Sequence, residues 1–219
     1  SHPSKEAIMQ MFEVTRAPVI ASHSSARALN DVSRNLDDEQ LMALKENGGV
    51  VQTVAFRSYI NSEKNNANRQ AVQALEASIA EEMDFEILGG RGGRGALQGL
   101  SEDARSAYSA NMEEVRSRAA SRMEAEVTST TPPVGVADFV DHIDYLVDLI
   151  GLEHVGISSD FDGGGGVEGW NDASETFSVT LELVRRGYTE EEIGMLWSGN
   201  LLRVLDEVQA IAAEIQAEG

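Results

Sequence analysis

The sequence predicts an α/β fold, namely the C-terminal portion of a (β/α)8 TIM-type barrel with a helical insertion. Three short apolar runs that suit buried strands alternate with amphipathic helical segments, and each run ends in polar or charged residues. Repeated units of helix then strand imply a parallel sheet with right-handed crossovers. Since a closed barrel of this kind needs eight strands, we expect its first half to lie outside these residues.

The predicted strands cover residues 19–21, 50–56 and 155–157. They are short and rich in valine and isoleucine, Gly49 precedes the second, and Gly151 ends the helix before the third. The C-terminal ends of such strands suit functional side chains, because the sheet holds the backbone while the side chain projects into the cleft above it.

Helical periodicity accounts for most of the remaining chain. Pro3 fits the first turn of a first helix, Thr189 with Glu192 forms a capping box, and Asn200 is expected to cap a last helix. Apolar stripes, and acidic residues at the start of some segments, predict the helices. The predicted helices cover residues 3–15, the segment after 37–39, residues 136–150 and residues 177–184.

Residues 63–126 differ from the rest, being polar, rich in alanine and glutamate and helical in pattern. We interpret about 63–130 as a helical insertion on the outside of the sheet fold. A Gly/Arg-rich run at residues 89–95 has a composition found in RNA-binding segments, but a short run inside an acidic chain is better explained as a loop.

Composition narrows the functional classes. The net charge is −20, from 37 acidic and 17 basic residues, so the basic surface that nucleic-acid binding requires is absent. There are no cysteines, and a metal would therefore be held by His, Asp or Glu. No apolar run is long enough for a membrane span. The sequence does not decide between a cytoplasmic and a secreted or periplasmic location, or whether the chain forms a homodimer.

Two histidines are candidate metal ligands. His23 follows the first predicted strand, and His2 precedes it by the length of one strand–helix unit. Both side chains can therefore lie at the tips of adjacent parallel strands, about 4.8 Å apart. Imidazole nitrogens suit zinc, but two histidines are too few for a tight site, so carboxylate ligands are expected from elsewhere. We interpret His142 as a structural histidine and assign no role to His154.

Asp160 and Asp162 follow the third predicted strand and lead into the glycine run 163–166. No Gly-Lys-Ser/Thr follows, which excludes a P-loop, and the later positions do not fit a calcium loop. The pattern leaves two carboxylates at the C-terminal end of a strand.

Several ordered motifs resemble the membrane (renal-type) dipeptidase family of zinc metallopeptidases. The resemblance covers nearly the whole chain except roughly residues 63–130. Its motifs are His2, the segment 16–26 (RAPVIASHSSA), Arg34-Asn35, and the segments 49–51 (GVV), 154–163 (HVGISSDFDG), 183–188 (LVRRGY) and 199–204 (GNLLRV).

The resemblance implies a (β/α)8 barrel with two zinc ions (Zn2+), bridged by a carboxylate and a water or hydroxide, that hydrolyses dipeptides. Some members accept a D-residue at the C-terminal position. It also implies that His2 and His23 ligate one zinc ion, that Arg34 binds the substrate carboxylate and that Asp160 transfers a proton. A planar guanidinium suits a carboxylate, and a metal pair can polarise a carbonyl and activate water.

The family's His-x-Asp ligand pair, its bridging Glu and a further active-site histidine have no counterpart here and are expected before Ser1. We therefore expect half of a metal site, with activity only in combination with the missing N-terminal half of the barrel. Two alternatives stay open, namely a barrel relative that serves as a binding or structural protein, and a related metal hydrolase of another amide, ester or lactam. Arg34 can also be a loop arginine, and Asp160 a turn carboxylate.

Overall fold

The computed structural model describes residues 1–88 and 95–218 and contains one parallel sheet in the order β1–β2–β3, with β1 at Ile20–Ala21, β2 at Val50–Val54 and β3 at Val155–Ser158. Ile20 lies opposite Val50, and Gln52 lies opposite Gly156. The prediction of three parallel strands is confirmed. The second strand is shorter than predicted, because Phe56 already caps the next helix.

Helices occur where the sequence predicts them, and a short helix after β2 is an addition. The described helices are α1 (Lys5–Val14), α2 (Asp38–Glu46), α3 (Arg57–Ile60), α4 (Ser62–Glu82), α5 (Glu102–Met123), α6 (Val136–Ile150), α7 (Phe177–Arg185), α8 (Glu190–Gly194) and α9 (Asn200–Glu218). The capping box of Thr189 and Glu192 is present at the start of α8. None of these described helices has both the length and the apolarity that crossing a bilayer requires.

The predicted position of Pro3 is wrong. The first helix begins only at Lys5, and its N-cap is Ser4, whose hydroxyl accepts a hydrogen bond from the Ala7 N–H. A serine hydroxyl can satisfy an N–H group that the first helical turn leaves without a partner, whereas proline has no side-chain acceptor. Pro3 therefore precedes the cap instead of lying inside the first turn.

The predicted cap at Asn200 is also wrong. A π-helical turn, Met195–Gly199, continues into α9 without a break, so the backbone there needs no cap. The Asn200 side chain is buried and donates hydrogen bonds to Leu152 O and Val155 O, at 2.7 and 2.8 Å. It thus stabilises the start of β3.

The chain divides into two compact units. The sheet unit comprises Ser1–Ser62 and Val134–Gly219, and the insertion unit comprises Glu63–Pro133. The insertion unit has a small core of its own, formed by Leu75, Ile79, Ala80, Val115, Ala119 and Val127. The loop expected at 89–95 falls mainly on residues 89–94, which lie outside the described residues.

The two faces of the sheet differ. On one face, Val51 and Ile157 belong to the same buried cluster as Phe139 of α6, and burial of each such side chain contributes roughly 1.5–3 kcal/mol. On the opposite face, Gln52 lies over Gly156, where an added Cβ atom would be 2.5 Å from the Gln52 amide. Gly156 therefore leaves room for a polar side chain on that face.

His142 is buried within α6 and hydrogen-bonded at both ring nitrogens. The Ala26 N–H donates to Nδ1 at 3.1 Å, and Nε2 donates to Ile60 O at 2.9 Å. Only the neutral ring satisfies both partners, because protonation would set a second N–H against that of Ala26. Burial lowers the pKa of His142 below its usual value, since desolvation disfavours the charged form. The structural role predicted for this histidine is confirmed.

The neutral state of His142 should make stability depend on pH. The unfolded chain binds a proton at this histidine below a pKa of about 6.5, whereas the folded protein resists protonation. The free energy of unfolding should therefore be highest above this pH. It should fall as the pH is lowered from about 7.5 to 5.5, because the unfolded state then binds a proton that the folded state does not. Denaturant titrations at a series of pH values measure the slope of the free energy of unfolding against pH. The variant His142→Gln, whose amide can still donate to Ile60, should show a shallower slope. Equal slopes would contradict the prediction.

Candidate active site

Residues that follow the three strands lie at one edge of the sheet. His23 follows β1, Tyr59 follows β2 and Asp160 follows β3, and parallel strands present their C-terminal ends on the same edge. Arg34, from the loop between β1 and α2, contacts His23 there. The sheet thus brings together side chains that are far apart in the sequence.

His2 and His23 lie against each other. Their Nε2 atoms are 2.8 Å apart, and their ring centroids are 4.8 Å apart with planes inclined by 53°. The pairing of the two histidines expected from the spacing is present. The strand expected at His2 is absent, since residues 1–4 form no strand. The link to the segment after β1 is a side-chain bond, in which the His23 N–H donates to Ser1 Oγ at 3.0 Å, and a strand needs backbone bonds to its neighbour.

The Arg34 guanidinium contacts both rings. Its Nη1 is 2.7 Å from His2 Nδ1, and its Nη2 is 3.2 Å from the Nε2 of each histidine. Since a guanidinium only donates, Nδ1 of His2 is the acceptor and its Nε2–H faces His23. The Nε2–H of His2 and the Nη2 of Arg34 both donate towards His23 Nε2, which is therefore an acceptor, and the His23 Nδ1–H donates to Ser22 Oγ at 2.8 Å.

Arg34 is held from two sides. Its Cζ lies 5.6 Å from the centroid of the Tyr59 ring, within cation–π range, and Tyr59 stacks on Phe56 at 4.4 Å. The next residue, Asn35, is fully buried, and its Nδ2 donates to Tyr59 O at 2.7 Å and to Asn30 O at 2.9 Å. The loop that follows β1 is therefore tied to the helix that follows β2, and this tie orients the guanidinium.

Burial lowers the pKa of the His23 imidazole, since desolvation disfavours its charged form. The negative charge of Asp160 opposes this shift, whereas the neighbouring His2 and Arg34 act in the same direction as burial. A neutral imidazole keeps a lone pair on Nε2, which is the form that binds a metal ion.

Asp160 has a left-handed backbone conformation, with φ 53° and ψ 33°. Such a conformation costs roughly 1–2 kcal/mol for most L-residues, although aspartate tolerates it better than most. Asp160 precedes a 3-10 turn, Phe161–Gly163, in which the Phe161 ring lies edge-on to the buried Trp170 at a centroid distance of 5.4 Å. This packing anchors the turn to the core of the sheet unit.

The histidine pair fits half of a zinc site. A tetrahedral zinc ion with Zn–N bonds of about 2.0–2.1 Å separates two imidazole nitrogens by roughly 3.3 Å, close to the 2.8 Å between these Nε2 atoms. His23 Nε2 is ready to ligate, whereas His2 must move its proton to Nδ1 and release Arg34. Across residues 1–88 and 95–218, no group of three or more His, Cys, Asp or Glu side chains converges, so the described residues offer two ligands.

Comparison with known families identifies the family of this chain. The sequence model described as "Membrane dipeptidase (Peptidase family M19)" matches residues 1–219. The chain belongs to the membrane dipeptidase family. The family resemblance predicted from the motifs is confirmed.

Curated relatives include dipeptidase aclJ of Aspergillus oryzae, which is 31% identical over 98% of this chain and 36% of its own length. Dipeptidase 3 of Homo sapiens is 28% identical over 100% of this chain and 31% of its own length. The chain thus spans about a third of the length of these curated members of the membrane dipeptidase family.

Solved structures agree with the fold. The probable dipeptidase PvdM from Pseudomonas aeruginosa has a TM-score of 0.64 and 37% identity, with coverage of 94% of this chain and 49% of PvdM. A metallo peptidase from Rhodobacter sphaeroides, liganded with a phosphinate mimic of L-Ala-D-Ala, has a TM-score of 0.60 and 22% identity over 94% of this chain and 41% of that chain. The predicted α/β fold, a portion of the membrane dipeptidase fold, is confirmed.

Two features of this edge are not predicted from the sequence, namely the position of Tyr59 and the structural role of Asn35. Tyr59 follows β2 as His23 follows β1 and Asp160 follows β3, so its position after a strand was a usable signal. Asn35 belongs to the motif Arg34-Asn35, but the sequence assigns it no structural role, because an asparagine in a loop is ordinary. The roles of His2, His23, Arg34 and Asp160 in this member of the membrane dipeptidase family stay predictions.

Asn35→Ala should destabilise the protein, because it removes the donor of several buried hydrogen bonds and leaves their carbonyl oxygens without that partner. We expect a loss of about 2–3 kcal/mol in the free energy of unfolding, measured by urea denaturation. Asn66→Ala, at an exposed position of α4, is the control and should change this free energy by less than about 0.5 kcal/mol. Similar losses in both variants would refute the role given to Asn35.

Proposed function

We propose that this chain supplies two metal ligands, the carboxylate-binding arginine and the proton-transfer group of a zinc-dependent dipeptidase. The observation that carries the proposal is the convergence of the Nε2 atoms of His2 and His23, 2.8 Å apart, with the guanidinium of Arg34. Membership of the membrane dipeptidase family supports it, as do the curated relatives named as dipeptidases. A metal ion held next to a guanidinium can activate water close to the free carboxylate of a bound substrate.

Arg34 binds the free carboxylate of the dipeptide. Its Nη1 and Nη2 both point to the same edge and can donate two parallel hydrogen bonds to a carboxylate. Its charge is available, because no carboxylate pairs with it within the part of the chain that the structure describes, and its polar neighbours are two imidazoles. The substrates are dipeptides, including those with a D-residue at the C-terminal position.

Asp160 transfers a proton during hydrolysis. It accepts a proton from the attacking water and donates it to the amine nitrogen as the peptide bond breaks, which is general base and then general acid catalysis. Its half-buried position and its charge interaction with His23 support this role.

His2 and His23 hold one ion of a zinc pair. A bound pair supplies a Lewis acid that polarises the scissile carbonyl and lowers the pKa of water. The remaining ligands come from parts of the protein outside these 219 residues, and these residues alone do not form a complete catalyst.

Replacement of His23 should remove one zinc ion. In the full-length protein, His23→Ala should lower the zinc content from about two ions per chain to about one and reduce kcat/KM for dipeptides by more than about 1000-fold. Elemental analysis and a hydrolysis assay with L,L- and L,D-dipeptides measure these changes. His154→Gln, on the opposite edge of the sheet, is the control and should keep both ions. Full zinc occupancy in His23→Ala would refute the ligand assignment.

Replacement of Arg34 by lysine should weaken substrate binding. Lysine keeps the charge but not the planar fork, so Arg34→Lys should raise KM for dipeptides by about 10- to 100-fold, with a smaller change in kcat. Dipeptide amides, which have no free carboxylate, are the matched control, because wild type and variant should cleave them with equal kcat/KM. An equal loss on acids and amides would contradict carboxylate binding by Arg34.

A further inference from the structure

Position 163 carries a glycine for which neither backbone conformation nor burial gives a reason. Gly163 ends the 3-10 turn after Asp160 and is exposed to solvent. Its φ is not positive, in contrast to Gly164 at +95° and Gly166 at +116°. Any L-residue can adopt such a backbone conformation, so the reason for a glycine must lie in what a side chain would touch.

A side chain at position 163 would occupy the space of the Asp160 carboxyl group. An added Cβ atom would lie 2.3 Å from Oδ1, 2.8 Å from Cγ and 3.0 Å from Oδ2 of Asp160, and these are its three nearest atoms. Non-bonded atoms prefer separations of about 3.5–4.0 Å, so the carboxylate would have to move.

The missing side chain of Gly165 leaves space for the backbone of Asp160. An added Cβ atom there would lie 2.0 Å from Ser159 O and 2.8 Å from the carbonyl carbon of Asp160. The N–H groups of Gly163 and Gly165 both donate to Asp160 O, at 3.0 and 2.7 Å, and the Gly166 N–H donates to Ala55 O just after β2. These bonds hold the left-handed conformation of Asp160 and tie the turn to the sheet.

We propose that Gly163 and Gly165 are positioning residues for Asp160, because their missing side chains leave the space that its carboxylate and its left-handed backbone occupy. The inference rests on the proposed function, in which Asp160 transfers a proton. A methyl group at position 163 displaces only the end of a flexible side chain, and so it moves the carboxylate without unfolding the turn. A methyl group at position 165 displaces the backbone itself.

The test uses the full-length protein with single substitutions. Gly163→Ala should lower kcat for dipeptides by about 100-fold, as expected for a catalytic group displaced by about 1 Å, with KM within about threefold and the melting temperature within about 2 °C of wild type. Gly164→Ala is the matched control, since its Cβ would meet only the Phe56 ring, at 3.8 Å or more. Its positive φ should lower the melting temperature by about 2–4 °C, while kcat stays within about threefold of wild type.

A wild-type kcat in Gly163→Ala would overturn the proposal, and so would an equal loss of kcat in Gly164→Ala. Gly165→Ala should also lose kcat where it folds, and its failure to fold leaves the Gly163→Ala result decisive. Crystal structures of wild type and Gly163→Ala give a second measurement, in which a changed position of the Asp160 carboxylate supports the proposal and an unchanged one overturns it. A wild-type protein that hydrolyses no dipeptide would refute the proposed function, whereas the crystallographic comparison would still decide the positioning.

Discussion

The parallel pairing of β1, β2 and β3 is the constraint on which the site depends. Parallel strands present all their C-terminal ends on one edge, so residues as distant in sequence as His23 and Asp160 interact electrostatically there. A shift of one residue in the pairing of Gln52 with Gly156 would exchange the two faces of a strand and remove the core contacts of Val51. The apolar core contacts on one face thus fix the register that sets the strand ends side by side on the edge.

The charges at the site differ from those of the rest of the chain. Arg186 is a typical arginine of this acidic protein, because its guanidinium is 2.6 Å from carboxylate oxygens of both Asp141 and Asp144. Arg34 instead faces two imidazoles, and burial lowers the pKa of one of them, His23. A guanidinium with neutral polar neighbours keeps its attraction for an external anion, since no internal carboxylate competes. In a chain of net charge −20, carboxylates are abundant, and Arg34 stays unpaired with those of the described residues because its neighbours at this edge are imidazoles.

Local patterns in the sequence were sufficient for the strands and most of the helices, because each depends on periodicity. The pairing of His2 with His23 was predicted correctly, although the strand expected at His2 is absent. The error at Pro3 is local, because the adjacent Ser4 caps the first helix. The other errors arose where distant residues decide. The sequence predicts a helix cap at Asn200, but its side chain donates hydrogen bonds to carbonyl groups near the start of β3. Asn35 donates a hydrogen bond to the backbone of Tyr59, whose ring lies against Arg34. No local pattern in the sequence shows that these two segments lie close together. The space at Gly163 depends on the conformation of Asp160, which only the folded chain defines.

The two edges of the sheet use polar side chains in different ways. At the N-terminal edge, the side chains of Asn200, Arg203 and His154 bond to backbone carbonyl groups that flank the starts of β2 and β3. At the C-terminal edge, by contrast, His2, His23 and Arg34 bond chiefly to one another. Bonds to backbone fix the fold, whereas bonds between side chains can be exchanged for bonds to a ligand without loss of secondary structure. Asn35 adds backbone bonds at the C-terminal edge as well, but the side-chain bonds that a ligand could replace lie at that edge, which is the face where barrels carry their sites.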